Sequence, residues 1–67
     1  MKTKNLVRGC LYSNMDGVYK YASNGYRGGY PVWCFWLCDY DEEKEKYVET
    51  ANPVFMTADE VLTLDRA

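Results

Sequence analysis

Apolar and polar residues alternate over short stretches of this chain, a pattern that predicts strands rather than long helices. Lys4 to Tyr12 holds five apolar residues and is predicted to be a first strand interrupted by Gly9, and Val18 to Ala22 is a second strand with two tyrosines on one side. Between these runs, the segment Ser13 to Gly17 ends in Asp-Gly, a dipeptide typical of hairpin turns. The first third of the chain is therefore expected to form a β-hairpin.

A glycine-rich segment separates this hairpin from a second one. Ser23 to Pro31 holds three of the five glycines and is predicted to be a loop. Val32 to Tyr40 is rich in aromatic and β-branched residues and is predicted to be the central strand. The charged connection Asp41 to Lys46 leads to a returning strand, Tyr47 to Ala51, which Asn52-Pro53 is expected to end.

The C-terminal segment carries both a helix signal and a strand signal. Thr57 is followed three positions later by Glu60, a capping-box pattern that predicts a short helical turn. Leu62-Thr63-Leu64 alternates like a short closing strand. The predicted fold is mostly β: a small antiparallel barrel or bent sheet of about five strands, with one short helical turn near the C-terminus.

In strand order and size this arrangement resembles an SH3-type small barrel, a likeness of architecture alone. Leu11-Tyr12-Ser13-Asn14 lacks the acidic and second aromatic positions of the peptide-binding SH3 signature, so no functional residue is carried over. The 67 residues are expected to form one domain, 1–67. A chain this short buries only about 60% of its unfolded surface, so a deep catalytic cleft is not expected.

Composition argues against several functional classes. The chain has eight basic and ten acidic residues, three cysteines and no histidine, so the commonest general base is absent. No nucleotide-binding or catalytic-triad pattern occurs, and neither an enzyme, a cofactor nor a metal site is expected. With no secretory signal, no membrane-spanning run and an odd number of cysteines, we expect a cytoplasmic protein with inert thiols and no membrane association.

Both sides of the predicted central strand are apolar, so the pattern of this strand alone does not identify the core. The residues that pair with it on the returning strand must decide which side is buried. Pairing Tyr40 with Tyr47 puts Glu49 on the same side as Trp36. An unpaired carboxylate is costly to bury, so the other side is the expected core. That side carries Trp33, Phe35, Leu37 and Val48. The same register would place Leu37 opposite Thr50 and Trp36 opposite Ala51.

The predicted protein-binding site is the remaining side, comprising Trp36, Tyr40, Tyr47 and Glu49. Tyrosine and tryptophan bring large contact areas with few rotatable bonds, which favours docking on a partner. We expect a small non-enzymatic adaptor, inhibitor or accessory protein that binds another protein or a second copy of itself. A homodimer would have a mass near twice 7.8 kDa, and its role could be purely structural. The chain's own ends could also cover this side.

A different function is indicated by Tyr26-Arg27-Gly28-Gly29-Tyr30. Tyrosines and an arginine on a flexible backbone can stack on the bases of single-stranded nucleic acid, and Tyr19 and Tyr21 would extend the set. The basic residues are scattered, however, whereas Asp39 to Glu45 concentrates negative charge. Nucleic-acid binding is therefore the second hypothesis.

Overall fold

A computed structural model describes residues 5–67, and in this part of the chain one five-stranded antiparallel sheet is joined by one short helix. The elements are β1 (Leu11–Asn14), β2 (Gly17–Arg27), β3 (Tyr30–Asp41), β4 (Lys46–Met56), α1 (Ala58–Val61) and β5 (Asp65–Arg66). The strand order is β4-β3-β2-β1-β5, so β4 and β5 are opposite edges and the sheet is not closed. The mostly β prediction is confirmed in its bent-sheet form.

The first hairpin forms as predicted, although its strands have different bounds. The Asn14 side-chain oxygen accepts hydrogen bonds from the backbone N–H groups of Asp16 (2.8 Å) and Gly17 (3.1 Å), which fixes the turn. β1 begins only at Leu11, because Gly9 adopts a positive φ of 82° and its N–H bonds to the Tyr21 carbonyl at 2.9 Å. Lys4, where the strand was expected to start, lies outside the described residues.

The predicted loop from Ser23 to Pro31 is wrong. β2 continues to Arg27 and β3 starts at Tyr30, so only Gly28 and Gly29 form the turn. Both glycines have positive φ values, 57° and 84°, a conformation that glycine adopts without steric cost. Two residues therefore suffice to reverse the chain, and the flanking residues remain paired in a long hairpin.

The predicted register between β3 and β4 is correct from Tyr40↔Tyr47 to Cys38↔Glu49 and then fails at a bulge. Trp36 pairs with Pro53 instead of Ala51, and Leu37 has no direct partner on β4. The Thr50 hydroxyl donates a hydrogen bond to the Leu37 carbonyl at 2.8 Å. The Thr50 hydroxyl oxygen in turn accepts a hydrogen bond from the Asn52 N–H at 3.2 Å. The extra residues of β4 at the bulge are therefore held by hydrogen bonds through the Thr50 hydroxyl.

Pro53 does not end β4, contrary to the sequence prediction. β4 is an edge strand and runs on to Met56. An edge strand tolerates proline because one of its two sides forms no ladder bonds. The bulge adds two residues to β4, an even number, so Pro53 stays on the same side of the sheet as Glu49.

One side of the sheet, the core face, is the side predicted to be the core, and the C-terminal segment packs on it. Its buried cluster consists of Tyr12, Tyr19, Tyr21, Phe35, Met56, Val61 and Leu64, with Trp33, Leu37 and Val54 partly buried against it. Val48 lies on the same side but is only partly buried. The buried Tyr12 hydroxyl accepts a hydrogen bond from the Val7 N–H at 2.8 Å, which satisfies the polar end of this aromatic core.

The C-terminal helix signal is confirmed. The Glu60 N–H donates to the Thr57 hydroxyl (3.4 Å) and the Thr57 N–H donates to the Glu60 carboxylate (3.2 Å), which completes the capping box. The predicted strand Leu62 to Leu64 is a turn instead, and the short β5 follows it. Leu64 is then buried as part of the core rather than paired in the sheet.

Candidate functional site

The side of the sheet opposite the core face, here called the open face, carries an aromatic row along β3. On β3 this row consists of Tyr30, Val32, Cys34, Trp36, Cys38 and Tyr40; Arg27 and Lys20 on β2 and Tyr47, Glu49, Pro53 and Phe55 on β4 lie beside it. The helix α1 contributes Val61 to the core cluster, on the other side. Most residues of the open face are therefore exposed or only partly buried.

Tyr40 and Tyr47 form one end of the open face. They are directly paired across the hairpin, their ring centroids lie 5.2 Å apart and the rings meet edge to face at 73°. The two side chains are still 53% and 42% exposed. Edge-to-face contact holds the rings in place without hiding them, so they offer an ordered aromatic surface.

The connection beyond these tyrosines is a tight acidic turn. The Asp41 carboxylate accepts hydrogen bonds from the N–H groups of Glu43 (3.0 Å) and Lys44 (3.2 Å). Glu45 closes the turn with a positive φ of 53°. The turn thus fixes the position of Tyr40 and Tyr47 and carries acidic residues together with Lys44 and Lys46 at this end of the sheet.

Trp36 lies near the middle of the open face, between Lys20 on β2 and Pro53 on β4. It is partly buried. A shallow hollow of about 330 Å³ is lined by Trp36, Glu49, Thr50 and Ala51, at the bulge of β4. A partner side chain placed there would touch the indole on one side and the bulged backbone on the other.

Glu49 also borders a second hollow of about 390 Å³. This hollow is lined by Leu11, Lys20, Cys38, Tyr47 and Glu49 among others. The exposed Glu49 side chain therefore stands between two concave regions, one beside Trp36 and one beside Tyr47. The structure brings all four predicted binding residues to one side of the sheet.

The cysteine of the second hollow is not suited to nucleophilic chemistry. Cys38 is buried, and this burial raises the pKa of its thiol above the ordinary 9.0, although the charge of nearby Lys20 lowers it. The thiol donates to the Trp36 carbonyl at 3.5 Å. A neutral, hydrogen-bonded thiol is weakly reactive. Within residues 5–67, no group of three or more cysteines or carboxylates could hold a metal ion.

The predicted nucleic-acid set is divided between the two sides of the sheet. Tyr19 and Tyr21 belong to the buried core, where both rings contact Phe35, so their assignment to a binding surface is wrong. Tyr26 is exposed on the core side of the hairpin end. A bulge between Tyr21 and Ser23 shifts the alternation along β2, which places Tyr26 on the core side and Arg27 on the open face.

Arg27 and Tyr30 lie on the open face, at the end opposite Tyr40. The Arg27 guanidinium carbon stacks 4.8 Å from the centroid of the Phe55 ring, and Phe55 is 46% exposed. Phe55 is not among the predicted binding residues because the returning strand was expected to end at Asn52-Pro53. Had β4 been continued through the proline, the alternation of Val54, Phe55 and Met56 would have placed Phe55 on the side of Glu49.

Comparison with known proteins gives no match to a family model, to a curated protein or to a solved structure. Among the described residues, α1 is four residues long, and no helix is long and apolar enough to cross a membrane. The site must therefore be interpreted from its own geometry.

Proposed function

We propose that this chain is a non-enzymatic protein-binding domain that docks through the open face. The observation that carries the proposal is the sidedness of β3: Phe35 is fully buried, whereas its neighbour Trp36 lies on a side that retains exposed aromatic rings. A row of exposed aromatics with a polar rim is the surface type that marks protein contact sites.

The supporting geometry is the combination of ordered anchors and hollows. Tyr40 and Tyr47 are held by each other, and Trp36 by its neighbours in the sheet, so binding would freeze few side-chain rotors. The two hollows beside Glu49 give a partner's side chains places to insert. Shallow hollows of this kind suit a macromolecular partner better than an enclosed small-molecule substrate.

Nucleic-acid binding has weaker support. On the open face, Arg27 lies at one end, whereas Lys20 and Lys46 line the hollow beside Tyr47 together with Glu49. Affinity for a phosphate backbone depends on several cations acting together. The face offers too few of them.

A capture experiment with matched variants tests the proposal. The wild-type chain, the variant Tyr40→Ser/Tyr47→Ser and the variant Met15→Ser are each immobilised and exposed to an extract of the cells that make the protein. Met15 is fully exposed in the β1–β2 turn, away from the open face, and serves as the control. We expect the same protein to be retained by the wild type and by Met15→Ser, and to be lost with the tyrosine variant.

A photo-crosslinking amino acid at position 40 tests whether the retained protein directly contacts the open face. It should label the retained protein, whereas the same group at position 15 should not. Identical retention by all three chains would contradict the proposal. Quenching of tryptophan fluorescence by a single-stranded oligonucleotide, lost steeply at higher salt, would instead favour nucleic-acid binding.

A further inference from the structure

The geometry points to a second copy of this chain as the occupant of the open face, packed face to face with antiparallel β3 strands. This inference rests on the proposed function, because it identifies the partner of the same surface. Three properties of the face support it: the sizes of the side chains along β3, the positions of Arg27 and Glu49, and the available area.

At the centre of β3, side-chain size on the open face is complementary to itself. The row on the open face reads Tyr30, Val32, Cys34, Trp36, Cys38, Tyr40, and its midpoint lies at Phe35. A twofold axis across the strands at this midpoint places Trp36 over Cys34 of the second copy and Cys38 over Val32, while the exposed Tyr40 faces Tyr30 at each end. Packed sheets lie about 10 Å apart, so a large side chain facing a small one fills the space between them.

Charge is self-complementary in the same arrangement. Glu49 is paired with Cys38, which lies three residues from the midpoint at Phe35. The twofold axis turns the strand direction around, so Glu49 faces the part of β4 of the second copy that lies beside Phe55. The Arg27 guanidinium lies at that place, because it stacks on the Phe55 ring. The twofold axis therefore brings each Glu49 close to the Arg27 of the other copy, twice per dimer.

The upper limit on the area of the face is close to the area of a standard interface. The molecule measures 41 × 22 × 19 Å. Its broad side therefore projects at most about 900 Å², and a standard protein interface buries about 800 Å² per partner. Covering the face would bury Trp36, Phe55 and the tyrosines of both copies at once.

Charge reversal tests the arrangement in the purified full chain. Sedimentation equilibrium should give a mass near twice 7.8 kDa for the wild type. Arg27→Glu or Glu49→Arg alone should raise the dimer dissociation constant about tenfold or more, because each places like charges together. The double variant Arg27→Glu/Glu49→Arg should restore most of the affinity. Arg8→Glu makes the same charge change at an exposed residue whose charge acts on Tyr21 of the core face, and it should leave the dimer dissociation constant unchanged.

The outcomes separate this inference from the proposed function. A chain that remains monomeric at millimolar concentration would overturn the dimer, and the capture experiment would then decide on its own whether the face binds another protein. A dimer that tolerates both single reversals, or that the double variant fails to restore, would place the interface elsewhere and would also overturn the inference.

Discussion

Phe35 and Trp36 are adjacent on β3 but project to opposite sides of the sheet, and this determines what each contributes. The Phe35 ring is fully buried and contacts the rings of Tyr19 and Tyr21 at 6.3 and 5.3 Å between centroids. Trp36 is only partly buried and borders a hollow. Truncating the first removes buried contacts in the core, and truncating the second removes contacts on the proposed docking surface.

The two substitutions are therefore expected to differ strongly in their effect on stability. Phe35→Ala should cost about 3–5 kcal/mol, which is comparable to the whole stability of a domain this small. Trp36→Ala should cost about 1–2 kcal/mol, because part of the indole remains in water in the folded state. Urea unfolding followed by circular dichroism measures both. Equal and severe unfolding of the two variants would show that the open face is also core.

Cys38 and Tyr21 make stability depend on pH in the alkaline range. Burial raises the pKa of the Cys38 thiol above 9.0 and the pKa of the Tyr21 hydroxyl above 10.0, despite opposing effects of Lys20 and Arg8. In both cases the unfolded chain loses its proton first, so the stabilisation is complete below pH 9 and declines as pH rises above 9.

Substituting Cys38 and Tyr21 separately tests whether these two groups cause the loss of stability at alkaline pH. The free energy of unfolding, measured in urea at steps from pH 7 to 11, should fall less steeply above pH 9 in Cys38→Ala than in the wild type. Tyr21→Phe should reduce the decline above pH 10. Parallel curves for the wild type and Cys38→Ala would mean that the thiol ionises equally easily in the folded and unfolded states.

Among the elements, α1 depends most clearly on a local sequence signal. Its four residues are too few to form a stable helix alone, yet they position Val61, which is fully buried. The capping box between Thr57 and Glu60 is what fixes the start of this turn. Because the two residues are only three positions apart, the capping box could be predicted from the sequence.

Removing the cap should therefore weaken the whole domain. Thr57→Ala is expected to cost about 0.5–2 kcal/mol of unfolding free energy, whereas Thr57→Ser keeps the hydroxyl and should stay close to the wild type. Chemical denaturation gives the difference, and amide exchange at Glu60 reports on the cap itself. Similar losses in the alanine and serine variants would point to the threonine methyl group instead of the hydrogen bond.

The β3–β4 turn contains a strained residue that can be relieved. Glu45 has a φ of 53°, a left-handed conformation that costs a non-glycine residue about 1–2 kcal/mol. Glu45→Gly should therefore stabilise the protein by up to about 1 kcal/mol, after the entropic cost of glycine. Glu43→Gly in the same turn, where φ is not positive, should destabilise it. Thermal unfolding compares the two, and a lower melting temperature for Glu45→Gly would contradict this reading of the turn.

The elements that escaped sequence prediction are those set by contacts between strands. The register near Tyr40 and Tyr47 follows from a short turn, but the bulge after Glu49 depends on the Thr50 hydroxyl reaching the Leu37 carbonyl, which no local pattern shows. Pro53 is acceptable only because β4 is an edge strand, a property of the strand order. The Tyr40 end of the candidate site was therefore predictable, and the Phe55 end was not.

At the scale of the molecule, a single sheet has one covered side and one open side. The core face already uses Tyr12, Tyr19, Tyr21 and Phe35 together with the C-terminal segment. The aromatics of the open face are thus additional to those that hold the domain together. A second copy on that face would form a two-layer sandwich, the usual way for an antiparallel sheet to bury both sides.

Thermal unfolding at several protein concentrations tests this two-sided organisation. Dimerisation stabilises the native state by mass action, so the apparent melting temperature of the wild type should rise with concentration. Tyr40→Thr/Tyr47→Thr/Phe55→Thr should remain folded, because threonine suits strands, and should lose about 1–2 kcal/mol at low concentration. Its melting temperature should no longer depend on concentration.

Tyr26→Thr is the matched control, since Tyr26 is 78% exposed at the hairpin end but lies on the core side of the sheet. It should keep the concentration dependence of the wild type. If the triple variant retained that dependence, association would use a surface other than the open face. If the triple variant unfolded outright, Tyr40, Tyr47 and Phe55 would be structural residues, and the division of the sheet into a core face and an open face would be wrong.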